Sequence, residues 1–142
     1  MALAVALASI AQAAPDRLAA RAAATNTATV ATFAGSWFGH TRSLKITRGG
    51  IASESIGLGC CDPVVDLRLK LSHPRGTNHV ASVAVRVTKV VIRDPSNYSA
   101  SNPAPRVGQT GRFKLRFGVI TETLTGTNYC NQAAGLKGTC GA

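Results

Sequence analysis

Acidic residues are scarce in this chain. Six Asp plus Glu stand against 16 Lys plus Arg, which leaves a formal charge of +10 at pH 7 over 142 residues. Aromatic residues make up only 5%, with a single Trp at position 37, and three histidines are present, His40, His73 and His79. No apolar run reaches the ~18 residues that a membrane-spanning helix needs. None of the G-x-S-x-G, H-E-x-x-H or P-loop patterns of common hydrolases and nucleotide enzymes occurs, so no motif nominates an active site. The length argues against a two-domain enzyme but suffices for one core, since a domain of this size buries about two-thirds of its unfolded surface. With 45% hydrophobic and only 15% charged residues, the chain is not a disordered polyelectrolyte. Its charge sits on a folded body.

The first segment reads as an export signal. An uncharged Ala/Leu/Val run over 1–10 is followed by Ala11-Gln12-Ala13, the small-x-small pattern of a cleavage site, which places a signal peptide at 1–13. No cysteine lies near that site to carry a lipid, so the expectation is a protein released from the cell or loosely held at its envelope. Residues 14–33 are Ala/Thr-rich without a substantial apolar face and read as a linker, which leaves a single β domain over 34–142.

From Gly35 onward the apolar period is two, the mark of strands with one buried face. Five strands are expected. The first, 36–47, sets Leu44 and Ile46 about Lys45, and the Arg48-Gly49-Gly50 turn leads to the second at 51–58. In the third, Val65, Leu67, Leu69 and Leu71 alternate with Asp66, Arg68 and Lys70, and a turn follows over 73–78. The fourth, 80–92, begins with Val83, Val85 and Val87 facing inward, but Lys89 interrupts and Val90 with Ile92 take over, which predicts a bulge or bend. In the fifth, 112–124, Phe113, Leu115, Phe117 and Val119 alternate with Arg112, Lys114 and Arg116. Long bent strands joined by short turns predict an all-β fold, either a small antiparallel meander barrel or a two-sheet sandwich of about five long strands.

Export makes the four cysteines, Cys60, Cys61, Cys130 and Cys140, candidates for disulfides. Adjacent residues have Cα atoms ~3.8 Å apart, below the ~4.4–6.8 Å of ordinary disulfides. Each of Cys60 and Cys61 is therefore expected to pair with one of Cys130 and Cys140, in either of the two arrangements. A four-thiolate zinc site lacks the paired C-x-x-C spacing, and no metal or other cofactor is expected.

The opening Gly35-Ser36-Trp37, with the Gly49-Gly50 hairpin after it, resembles the Gly-x-Trp start of calycin barrels such as lipocalins and avidins. The resemblance implies a barrel, one end of which Trp37 closes beneath the preceding segment. The longer run Gly35-Ser36-Trp37-Phe38-Gly39-His40-Thr41-Arg42-Ser43-Leu44-Lys45-Ile46, taken with Tyr129-Cys130 and Gly138-Thr139-Cys140-Gly141-Ala142, is similar to a group of small actinobacterial secreted proteins and lipoproteins of unassigned function. That similarity implies export and a disulfide-stapled β fold. It implies no activity.

The outward basic residues are the strongest surface signal: Arg68 and Lys70 on the third strand, Arg86 on the fourth, and Arg112, Lys114 and Arg116 on the fifth. If the third and fifth strands lie close together, these residues make a positive face. Like charges directly opposite one another destabilise a sheet, so such a face calls for an anionic partner. An anionic polymer or a membrane or cell-wall surface suits an exported protein. Nucleic acid is disfavoured, because Tyr98, Tyr129 and two strand phenylalanines do not make a stacking platform. The connection 94–111, with Pro95, Pro103 and Pro105 around Tyr98 and Arg106, is the favoured recognition element, since structureless loops beyond ~12–15 residues are often functional. The expected function is that of a secreted binding module and not of an enzyme. One alternative is a small ribonuclease-like hydrolase in which His40 and Glu54 form an acid/base pair beside Arg42. Another is an inhibitor that presents the proline loop to an exported enzyme.

Overall fold

A computed structural model describes residues 27–58, 63–138 and 140. Eight antiparallel strands follow in chain order: β1 (Gly35–Gly39), β2 (Arg42–Ile46), β3 (Ile51–Gly57), β4 (Pro63–Gly76), β5 (Val80–Ile92), β6 (Thr110–Arg116), β7 (Val119–Glu122) and β8 (Asn128–Cys130). Each pairs with its neighbours, and Phe38 opposite Cys130 joins β1 to β8, so the sheet is a closed barrel and not a sandwich. Five helical residues, α1 (Gln132–Leu136), follow β8 with the Asn131 side chain accepting from the Ala134 N–H at 2.9 Å.

The strand count exceeds the expected five because two of the long strands are hairpins. The expected strand 36–47 turns at His40-Thr41, where Thr41 holds a left-handed φ of 57°. Thr41 is fixed there by two contacts with Gly57: its hydroxyl donates to the Gly57 carbonyl, and its own carbonyl accepts from the Gly57 N–H, both at 2.9 Å. The expected strand 112–124 turns at Phe117-Gly118, with φ of 46° and 84°, the positive pair of a tight hairpin. A Cβ on Gly118 would stand 2.9 Å from the Asn131 side chain, so that position also needs glycine for space. The turn inverts the parity: Phe117 is 70% exposed and Ile120 fully buried. The three-residue β8 completes the ring. The turn expected over 73–78 falls later, at 77–79, because β4 runs on to Gly76 through a register shift between Ser72 and Arg75, where Pro74, which cannot donate to a ladder, is tolerated. The bulge expected near Lys89 is present, as a shift between Arg68 and Leu69 against β5.

Eight strands enclose a space just wide enough for side chains to fill. Leu44, Leu69, Val83, Val85, Phe113, Ile120 and Tyr129 fill it. Trp37 closes one end: it is 5% exposed, and its indole N–H donates to the Phe33 carbonyl at 2.9 Å. Phe33 ends a 3₁₀ turn, Val30–Phe33, and is itself fully buried.

The expected signal peptide over 1–13 and the linker as far as 26 lie outside the described residues. From Thr27 the chain is docked on the barrel: Thr27 bridges Thr77, and the Ala28 N–H donates to the Gly76 carbonyl at 2.9 Å. The disulfide expectation is corrected. Cys130 is bonded to Cys140, with Cα atoms 5.9 Å apart. Helix α1 and the turn after it fold the chain back within bonding reach, a local return that reasoning from long closed loops does not foresee. Both crossing arrangements are thereby excluded, and Cys60 and Cys61 lie outside the described residues. No helix among the described residues is long and apolar enough to cross a membrane.

Candidate functional site

The pairing register places the basic residues on one outward face. Since β4 and β6 both pair with β5, they lie two strand spacings apart, about 10 Å. Arg86 stands between them. Across the sheet, Lys45 opposes Ser53, Ser53 opposes Arg68 and Arg68 opposes Lys89. In the next row Ile51 opposes Lys70, Lys70 opposes Arg86 and Arg86 opposes Thr110. Arg112, Lys114 and Arg116 continue the face on β6 opposite Ala84, Ser82 and Val80. All of these cations are exposed. Two like-charged pairs thus lie directly opposite one another, Arg68 with Lys89 and Lys70 with Arg86, the arrangement that costs a sheet stability.

The described carboxylates do not relieve this repulsion. Glu54 and Glu122 are inside the barrel, at 1% and 0% exposure. Asp66 is bound by Arg93, whose Nε and Nη2 both donate to Oδ2 at 2.8 Å. Asp94 accepts from the Ser96 hydroxyl and N–H and from Asn97, and the Ser96 bonds hold its pKa below the ordinary carboxylate value. The Arg93–Asp66 pair is the only ion pair among the described residues. Toward the barrel end opposite Trp37 a shallow groove of about 410 Å³ on this face is lined by Lys45, Arg68, Lys89 and Arg93, by Asp66, with which Arg93 is paired, and by Ser43, Ser53 and Ser55. Lys45, Lys89 and Arg93 were legible by parity but stand outside the set nominated from sequence.

Tyr98 and Arg106 do not join that face. They line a pocket of about 860 Å³ at the barrel end opposite Trp37, between the β5–β6 connection and the rim formed by β2, β3 and β4. Arg42 completes it from β2, where it shares the inward parity of Leu44 and Ile46.

Beneath this mouth lies a polar cluster that charge and motif reading missed. The Tyr129 hydroxyl donates to Glu54 Oε1, and Glu54 Oε2 has no partner. Burial pushes the Glu54 pKa up to about 7, with the Glu122 charge adding, while the Tyr129 bond and Arg42 oppose. Burial likewise raises the Tyr129 pKa, and the neighbouring Glu54 adds to it. Glu122 is satisfied by the N–H groups of Leu124 and Thr125 and by the Thr125 hydroxyl at 2.6 Å. The signal in the sequence was parity: Glu54 alternates with Ala52 and Ile56, and Glu122 with Ile120.

His40 and Glu54 are not brought together. His40 is exposed in the β1–β2 turn, whereas Glu54 faces the interior opposite Leu44 and Leu67. His73 is exposed beside the β4 bulge, and His79 stacks on Phe117 with ring centroids 6.3 Å apart. No group of three or more His, Cys, Asp or Glu among the described residues is arranged to hold a metal ion. No protein-family model matches the chain, and no similar characterised protein or solved structure was found.

Proposed function

We propose that this chain is an exported binding module that holds a flexible anionic polymer of the cell envelope against the outward face of β4, β5 and β6. The observation that carries the reading is the pairing of Arg68 with Lys89 and of Lys70 with Arg86 directly across the sheet, while the one carboxylate on that face among the described residues, Asp66, is ion-paired with Arg93. A fold that only needed solubility would intersperse charges of both signs. Here the repulsion is retained, and a polyanion would relieve it while releasing its own counterions. The serine hydroxyls of the adjoining groove supply neutral donors for phosphate or carboxylate oxygens. The Cys130–Cys140 disulfide is in keeping with an oxidising compartment.

The separation of His40 from Glu54 favours binding over the hydrolase alternative, since an acid/base pair must reach one substrate together. The test is retention on immobilised polyphosphate against neutral dextran and anionic vesicles. The wild type should be retained on polyphosphate and not on dextran, and R112Q/K114Q/R116Q should elute at lower salt. Equal retention of the two proteins would refute the face as the site, and preferential retention on vesicles would replace the polymer with a membrane surface.

A further inference from the structure

The barrel mouth differs from the sheet face in both shape and chemistry. Its pocket, about 860 Å³, falls within the ~300–1,000 Å³ of small-molecule sites. Among the described residues no Asp or Glu lines it, and two arginines do, Arg42 from the barrel wall and Arg106 from the loop above.

Arg42 is held in a fixed place. Its Nη1 donates to the Thr125 hydroxyl oxygen at 2.6 Å, and that hydroxyl donates onward to Glu122 at 2.6 Å. Glu122 is anchored in turn by the backbone N–H groups of Leu124 and Thr125. The guanidinium is therefore braced from behind by a part-buried relay, yet among the described residues no carboxylate lies within 4 Å of it. An arginine that is half-buried, oriented and not ion-paired is prepared for an anion from outside, because its N–H fork suits a carboxylate in two-point geometry.

The rest of the lining defines what the anion is attached to. Ile56, Val64 and Leu124 give an apolar floor, and Tyr98, Pro103 and Pro105 give flat walls. The wall loop is organised by its own bonds: the Ser99 and Asn102 backbones bond each other at 3.0 and 3.2 Å, and the Asn102 side chain donates to the Asn97 carbonyl at 3.1 Å. Such a loop need not be ordered at the moment of binding, which lowers its cost. We propose that the mouth is a binding site for a small aromatic carboxylate, with the carboxylate on Arg42 and Arg106 and the ring between Tyr98, the prolines and the apolar floor. The site shares no residue with the set on β4, β5 and β6, so it stands or falls independently of the polymer reading.

The experiment is titration of the full chain with 2-naphthoate, followed by ligand fluorescence, beside the neutral 2-naphthalenemethanol. The acid should bind at least about tenfold tighter than the alcohol, as one charge-assisted contact allows. R42Q should remove most of that preference while leaving the alcohol's affinity unchanged. Because R42Q also loses the Thr125 bond, R106Q is measured as well; Arg106 is exposed, and its substitution should lower naphthoate affinity without moving the thermal midpoint. R112Q/K114Q/R116Q should bind naphthoate like the wild type. Absence of binding at millimolar naphthoate, equal affinity for acid and alcohol, or unchanged affinity in both R42Q and R106Q would overturn the proposal.

Discussion

Inside the barrel the Tyr129 hydroxyl donates to one carboxyl oxygen of Glu54, and the other oxygen of Glu54 is buried without a partner. A carboxyl with an unsatisfied oxygen in an apolar interior favours its protonated form. With the folded pKa near 7 and the ordinary value at 4.5, the folded state keeps the proton that the unfolded chain gives up between those pH values. The contribution of Glu54 to stability is therefore greatest below pH 4.5, falls as pH rises toward 7 and levels off above it, by roughly 3 kcal/mol for a shift of this size. Urea unfolding midpoints from pH 4 to 9 should show this fall in the wild type and its loss in E54Q. The groups facing Glu54 are Glu122, Arg42 and Tyr129, and a parallel decline in both proteins would assign the pH dependence elsewhere.

The same hydrogen bond gives a second expectation. Y129F removes the donor and leaves two buried carboxyl oxygens unpaired, which should cost about 1–3 kcal/mol. Because that bond lowers the Glu54 pKa, its loss should also move the fall in stability to higher pH. An unfolding curve and pH profile unchanged from the wild type would contradict the contact.

The β6–β7 turn carries backbone strain at an exposed side chain whose ring stacks on His79. Phe117 is exposed with φ at 46°, a region where Asn is far better tolerated than an aromatic residue. F117N should raise stability by about 0.5–1 kcal/mol, whereas G118A should lower it, since it adds a Cβ beside Asn131 at φ 84°. Thermal unfolding of the two variants checks both signs.

Mass spectrometry of a non-reduced digest should yield Cys130 linked to Cys140. Replacing both by Ser opens a loop of about ten residues and should cost about 2–3 kcal/mol on the chain-entropy model. Recovery of either crossing pair would refute the observed connectivity.

Much of the barrel was legible in the sequence because a period of two reports which face a residue takes. Val65, Leu67, Leu69 and Leu71 are all buried, as are Phe113 and Leu115, and their charged neighbours Arg68, Lys70, Arg112 and Lys114 are exposed. The hairpins were not legible, because Thr41 and Phe117 take up left-handed backbone that neither residue type announces. At Phe117 the alternation even continues through the turn, so the pattern reads as one strand where the chain has reversed. The site divides in the same way. Parity assigned Arg68, Lys70 and Arg112 to an outer surface, but only the closed register puts Lys70 opposite Arg86. Tyr98 and Arg106 were singled out as loop residues, and Arg42 as the guanidinium beside a His40–Glu54 acid/base pair; their meeting at one mouth depends on closure of the ring.

The outward face implies an exchange of stability for binding. K70E places a carboxylate directly opposite Arg86 and should stabilise the sheet by about 0.5 kcal/mol at low salt. Its affinity for polyphosphate should fall at the same time. Loss of stability on this substitution would contradict the repulsion inferred between Lys70 and Arg86.

The most direct test of the proposed function is the salt dependence of polyphosphate binding for the wild type and R68Q/K70Q/R86Q. Each phosphate neutralised contributes roughly 0.7–0.9 to the slope of log affinity against log salt, so the wild type should show a steep slope and the variant one shallower by about 2. The variant should unfold at the wild-type temperature or slightly above it, because the substitutions are exposed and remove the two like-charged pairs across the sheet, so lost binding is not lost folding. Equal slopes, or binding by the wild type that does not depend on salt, would show that the cations of β4 and β5 are a solvated surface and not the binding site.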